Sequence, residues 1–149
     1  MVCIVWPLQG TRSCSSRFIT WNKLYPRQGF EFKRCLAGET AFSNRFLTYY
    51  QMQRYQDALA DVNRLIQFDP TDASAHHDKG VTLSILARKQ DALLAYTEAI
   101  RLAPQNGGYS ISIAKLNKDL GNRKQAYEDA IRAQQLGYNV DPGFIQSVQ

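Results

Sequence analysis

Residues 55–70 read YQDALADVNRLIQFDP, and residues 89–104 read KQDALLAYTEAIRLAP, the same pattern 34 positions later. Gln-Asp-Ala-Leu recurs in register, and each stretch closes on a proline, Pro70 and Pro104. A looser copy, RKQAYEDAIRAQQLGY, covers residues 123–138, so Ala58, Ala92 and Ala126 stand at one constant spacing. Within the first copy the apolar positions Ala58, Leu59, Val62, Leu65 and Ile66 step by three and four, the period of a helix with one buried stripe. Proline cannot continue such a helix, so Pro70 ends it. A unit this short cannot bury its own apolar face; copies must stack, each covering the next.

Working outward, Phe42, Phe46, Tyr49 and Tyr50 repeat the helical step before the first copy. The pattern predicts helices over about 56–68, 74–86, 90–102, 109–120 and 123–136, with one short helical turn from about residue 142. Asp72 and Asn106 are predicted to cap the helices that follow them. Asn122, with Gln125 three residues on, reads as a capping-box variant, and Gly121 suits the residue just past a helix end. Gly80 falls where two helices of a pair approach closely.

The chain of 149 residues has the length of one domain, and its hydrophobic fraction of 44% supplies a core. The formal charge of +5 is unevenly placed. Residues 1–38 hold Arg12, Arg17, Lys23, Arg27, Lys33 and Arg34 against Glu31 alone, while residues 39–149 balance. All three cysteines, Cys3, Cys14 and Cys35, lie in the same N-terminal segment. Their odd number and their spacing argue against a disulfide framework and for a reducing, cytoplasmic setting. The apolar run at residues 2–8 is broken by Pro7, lacks a preceding basic region and is too short to span a membrane, so no signal peptide is expected.

The repeat resembles the tetratricopeptide repeat family. Windows of 39–72, 73–106 and 107–140 place Phe46, Gly80 and Ala114 at the eighth position, where the family has a small residue. They place Ala58, Ala92 and Ala126 at the twentieth, Leu65, Ala99 and Ala133 at the twenty-seventh, and Pro70 and Pro104 at the thirty-second. Phe46 is bulky for its place, Tyr138 stands where a third proline would be, and Gln134 replaces the aliphatic of Ile66 and Ile100. The resemblance implies an all-α, right-handed superhelical solenoid of about three antiparallel helix pairs. Residues 1–38 then form an irregular or short-helical, basic and aromatic-rich extension, residues 39–138 the repeats, and residues 139–149 a capping tail.

The resemblance also implies that the first helix of each pair lines a concave groove. Its family register puts Ser43, Asn44, Leu47, Tyr50 and Gln51 there from the first unit, His77, Asp78, Val81 and Ser84 from the second, and Ile111, Lys115 and Lys118 from the third. Amides, hydroxyls and few like charges suit a protein segment or extended peptide better than a nucleic-acid backbone, which calls for a denser basic track. Some family members clamp a peptide's C-terminal carboxylate; here the matching positions read Ser43, Leu47, Asp78, Gly108 and Ser112, which do not make that clamp.

Little else in the chain points to chemistry. His76 and His77 are adjacent and so diverge by about 100° on a helix, with no partner set for a metal. Neither a nucleophile elbow nor a glycine-rich phosphate loop is present. The expectation is a scaffold or adaptor that is not an enzyme and needs no cofactor or metal. The alternatives are a structural module that self-associates into a homo-oligomer by stacking its ends, or attachment to RNA or a membrane through the basic extension; neither a nucleic acid nor a membrane is the leading expectation.

Overall fold

A computed structural model describes residues 29–149, with side chains from Thr40 onward. The readings of residues 1–28, including Cys3 and Cys14, lie outside the described residues. Seven helices follow one another: α1 (Gly29–Gln51), α2 (Tyr55–Phe68), α3 (Ala73–Ile85), α4 (Lys89–Leu102), α5 (Gly107–Asp119), α6 (Arg123–Gln135) and α7 (Pro142–Val148). They pack as antiparallel pairs α1–α2, α3–α4 and α5–α6, and each pair rests on the next through α2–α3 and α4–α5. The result is an all-α solenoid of three helix pairs, closed at one end by α7.

Five of the helices agree with the sequence reading to within two residues. The first does not: α1 begins at Gly29 and runs through Gly38 without a break, so the expected boundary at residue 38 does not interrupt the helix. No proline lies between residues 29 and 51, so nothing of that kind stops the helix at residue 38.

The alanines at the twentieth register position are the tightest points of the stack. Ala58, Ala92 and Ala126 are fully buried, as are Ala99 and Ala133 at the twenty-seventh. Phe46, Leu59, Val62, Leu83, Tyr96, Ile113 and Leu116 fill the space around them as one cluster spanning all three pairs. A second cluster, Ile111, Ala114, Ala130, Ala133 and Val140, lies under Phe144 and Ile145. The tail thus covers the last pair, and Val148, 34 residues after Ala114, is itself buried.

The eighth position shows how the units tolerate different residues. A Cβ on Gly80 would come within 2.6 Å of two Tyr96 ring carbons. Tyr96 is at the twenty-fourth position, where the first unit has Val62 and the third Ala130. The facing pairs are therefore Phe46 with Val62, Gly80 with Tyr96, and Ala114 with Ala130. A bulky Phe46 is accommodated because its facing residue is small; the volume has changed sides.

The turn within each pair is the same motif three times. In the first, Arg54 N–H donates to the Tyr49 carbonyl (2.8 Å) and Gln53 N–H to Tyr50 (3.0 Å). In the second, Arg88 N–H reaches Leu83 (2.9 Å); in the third, Asn122 N–H reaches Asn117 (2.8 Å). The left-handed residue of each turn is Gln53 (φ 59°), Ala87 (φ 59°) and Gly121 (φ 80°). Only the third unit places glycine where the backbone favours it. Ala87→Gly should therefore raise stability, by up to about 1 kcal/mol after the added freedom of the unfolded chain is subtracted. A urea midpoint below that of the parent would show that this turn carries no strain.

Asp72 and Asn106 cap α3 and α5 as expected, accepting from the Ser74 N–H (2.8 Å) and the Gly108 N–H (3.0 Å). Asn122 makes no side-chain cap, which corrects the capping-box reading. Its backbone (φ −80°, ψ 63°) matches that of Arg54 and Arg88 at the same register and lies outside the extended region from which a cap reaches back. Arg54 and Arg88 instead turn onto Asp57 and Asp91, with Nε–O distances of 2.7 and 2.8 Å.

Candidate functional site

The first helices of the units, α1, α3 and α5, form one side of the solenoid, and α3 and α5 touch each other directly. That contact between successive first helices puts them on the inner arc. Caps and the prolines before them fix where α3 and α5 begin, and the buried alanines of the second helices fix how deep the first helices sit. The outward residues of these three helices make the candidate surface.

At its centre stands His77. Its ring lies 4.9 Å from the Tyr109 ring in a stacked arrangement and 5.5 Å from that of Tyr96, so one imidazole ties α3 to α4 and α5. Its Nε2 is 3.0 Å from the Ser112 hydroxyl. That hydroxyl also donates to the Gly108 carbonyl at 3.0 Å. The Ser112 hydroxyl thus lies between the imidazole and the backbone of α5, while Nδ1 of His77 faces Asp78, whose carboxylate oxygen is 3.7 Å away.

Toward the first unit the aromatic strip continues with Tyr50, edge-on to Tyr55 (5.5 Å, 77°) and tilted against Phe46 (6.0 Å). Burial pushes the phenol of Tyr96 up to about 12, with the negative charge of Asp78 adding to it. Tyr50 and Tyr109 are raised for the same first reason, and Asp78 contributes to both. All three tyrosines lie within the field of this carboxylate.

The residues expected in the groove fall into three groups. Tyr50, His77 and Asp78 converge on this strip, and all three are half-buried; Ser43, Val81 and Ser84 are half-buried on the same helices. Asn44, Leu47, Gln51, Lys115 and Lys118 are exposed. Ile111 is not free to contact a ligand: at 5% exposure it belongs to the cluster covered by the tail. Lys118 is partly committed, its ammonium donating to the Ser147 hydroxyl (2.7 Å) and lying 5.1 Å from the Phe144 ring. Tyr96 and Tyr109 were not among the expected site residues, although the His77 ring packs against both.

Elsewhere the first unit carries a pair of different character. Arg45 grips Asp61 through Nε and Nη2, both at 2.7 Å, and Asp61 is 3% exposed. Asp129 holds the same register place in the third unit, where burial raises its pKa and Asn117 donates to it at 2.9 Å. Both are structural contacts between the helices of a pair. Among the described residues no group of three His, Cys, Asp or Glu side chains is placed to hold a metal ion. Among the same residues no helix is long and apolar enough to cross a membrane.

Comparison with known proteins agrees with this geometry. Residues 73–106, the second window, match the tetratricopeptide repeat family. Serine/threonine-protein phosphatase T of Trypanosoma brucei brucei (strain 927/4 GUTat10.1) is 30% identical over 92 residues, which cover 62% of this chain but 19% of that protein. The TPR2B domain of yeast Sti1, solved in complex with pHsp70, superposes with a TM-score of 0.69 at 16% identity, covering 75% of this chain and 96% of that one. The Yersinia enterocolitica type III secretion chaperone SycD, solved with a peptide of the translocator YopD, gives 0.68 at 16% identity, covering 73% and 90%. With three stacked helix pairs in 34-residue register and the central one matching the family, the chain is an all-α repeat protein with a tetratricopeptide-like fold.

Proposed function

We propose that the protein is a non-catalytic adaptor that holds an extended segment of another protein along the inner face of α1, α3 and α5. The observation that carries this reading is the strip Tyr50–His77–Tyr109, which crosses all three units with its rings half-buried. Half-buried aromatic residues with hydrogen-bonding neighbours are the anchors that binding surfaces reuse. The Sti1 domain and SycD, both of this fold, were solved with pHsp70 and a peptide, which supports the same use of the fold here. The repeat array contains no cysteine and requires no oxidising compartment, which supports a cytoplasmic setting.

Exposed Asn44 is well suited to pair with both an N–H and a C=O of an extended backbone, and Tyr50 to anchor a side chain beside it. The double variant Asn44→Ala, Tyr50→Ala should keep its helical circular dichroism and lose the partners that the parent captures from native lysate. Identical partner sets for parent and variant would count against binding on this face.

A further inference from the structure

We propose that the inner face selects a cationic side chain: an arginine or lysine of the bound segment seats its charge on the Asp78 carboxylate, beside Tyr50 and Tyr109. This rests on the reading that a segment lies along α1, α3 and α5, and it adds what that segment must carry.

Among the described residues Asp78 has no lysine or arginine partner. Its side chain is 42% exposed, and the cationic-capable group beside it is His77 at 3.7 Å. That histidine is engaged through Nε2 with Ser112, and unlike a lysine or arginine it is not a permanent cation. The other acidic groups near the inner strip are matched differently: Asp72 is occupied in capping α3. The lysines of the third unit lie on α5, with Lys118 drawn to Ser147 in the tail.

The Tyr109 ring stacks on His77 next door to Asp78. Burial raises the Tyr50, Tyr96 and Tyr109 phenols, and the Asp78 charge adds a smaller rise to each, so all three rings lie within reach of its field. A carboxylate with aromatic rings nearby attracts a guanidinium or ammonium and repels an acid. A planar guanidinium suits it best, since it can pair with the carboxylate and stack on a ring at once. The same arrangement disfavours a C-terminal carboxylate, and Ser43, Leu47, Gly108 and Ser112 offer no positive charge to offset it.

The test is a positional-scanning library of N-acetylated, C-amidated octapeptides, presented to the full-length protein with enrichment read at each position. The expected result is enrichment of arginine, then lysine, at one position. In the best binder, replacing that residue with glutamine should weaken binding about tenfold by fluorescence anisotropy, the size of a half-exposed ion pair with a cation–π contact. Asp78→Asn should abolish the cationic preference, and Asp78→Lys should convert it to glutamate or aspartate; Asp78 is surface-facing, and circular dichroism checks that both variants fold. Binding without a cationic preference, or a preference that survives in Asp78→Asn, overturns this proposal and leaves the peptide-binding reading standing. A library with no enrichment at any position overturns both.

Discussion

Gly80→Phe destabilises the protein by about 3 kcal/mol, and adding Tyr96→Val returns at least half of that loss. The first effect follows from space. Even a Cβ at residue 80 would stand 2.6 Å from Tyr96 ring carbons, and Tyr96 is 5% exposed with no room to retreat. Overpacking of a filled core costs about 1–3 kcal/mol, and a whole phenyl ring belongs at the upper end. The second effect follows from the first unit, where Phe46 and Val62 already occupy these register positions, both buried in the same cluster. The double variant rebuilds that pair in the second unit. Denaturant titration of the parent, both single variants and the double variant closes a cycle, and neighbours in contact should couple by about 0.5–3 kcal/mol. Additive effects would mean that residues 80 and 96 do not share one volume.

Tyr96→Phe should abolish a large part of the protein's sensitivity to alkali. Burial holds the Tyr96 phenol up to about 12, against 10.0 for the free side chain. Because the folded pKa is the higher one, the native state keeps a proton between these values that the unfolded chain has released. Stability from this group is fully present below pH 10 and is lost as pH rises toward 12. A shift of about two units corresponds to about 3 kcal/mol. Below pH 10 the gap in stability between Tyr96→Phe and the parent should be constant; above it the parent should fall relative to the variant. Parallel stability curves from pH 8 to 12 would show that Tyr96 ionises as freely in the fold as outside it.

These two effects meet at one residue because the repeat stores its information in pairs. What the sequence displays openly is the local part: the 34-residue period, the buried alanines, the caps at Asp72 and Asn106, and the proline and glycine stops. Each of these is set by a few neighbouring residues, so it can be read in order. Phe46 looks like a defect when read alone and is explained only by Val62, sixteen residues on. Asn122 has the composition of a cap, but the turn before it fixes a backbone from which its amide does not reach. Arg45 and Asp61 are likewise unremarkable until the first pair closes and brings them to 2.7 Å.

The candidate site was legible in the same partial way. Family register singles out Tyr50, His77 and Asp78 one helix at a time, and these are the residues that converge. It does not reveal that His77 stacks on Tyr109, which lies 32 residues on at a position outside the usual groove set, or that its Nε2 meets the Ser112 hydroxyl. An aromatic residue three places after the cap Asn106 was the available signal. Ile111 was misplaced for a different reason: its register points inward, but α7 and Val140 cover that end of the groove, and a short tail is invisible to a pattern defined by repeats.

The most direct test of the groove account is a chemical-shift map of the isotope-labelled protein, titrated with the best octapeptide from the library. Perturbations centred on Asn44, Tyr50, His77, Asp78 and Tyr109, with α2, α4 and α6 little changed away from Tyr55 and Tyr96, are the predicted result. A map centred instead on the outer pocket between α2, α3 and α4, at Asn63, Lys79, Leu94 and Glu98, would contradict it.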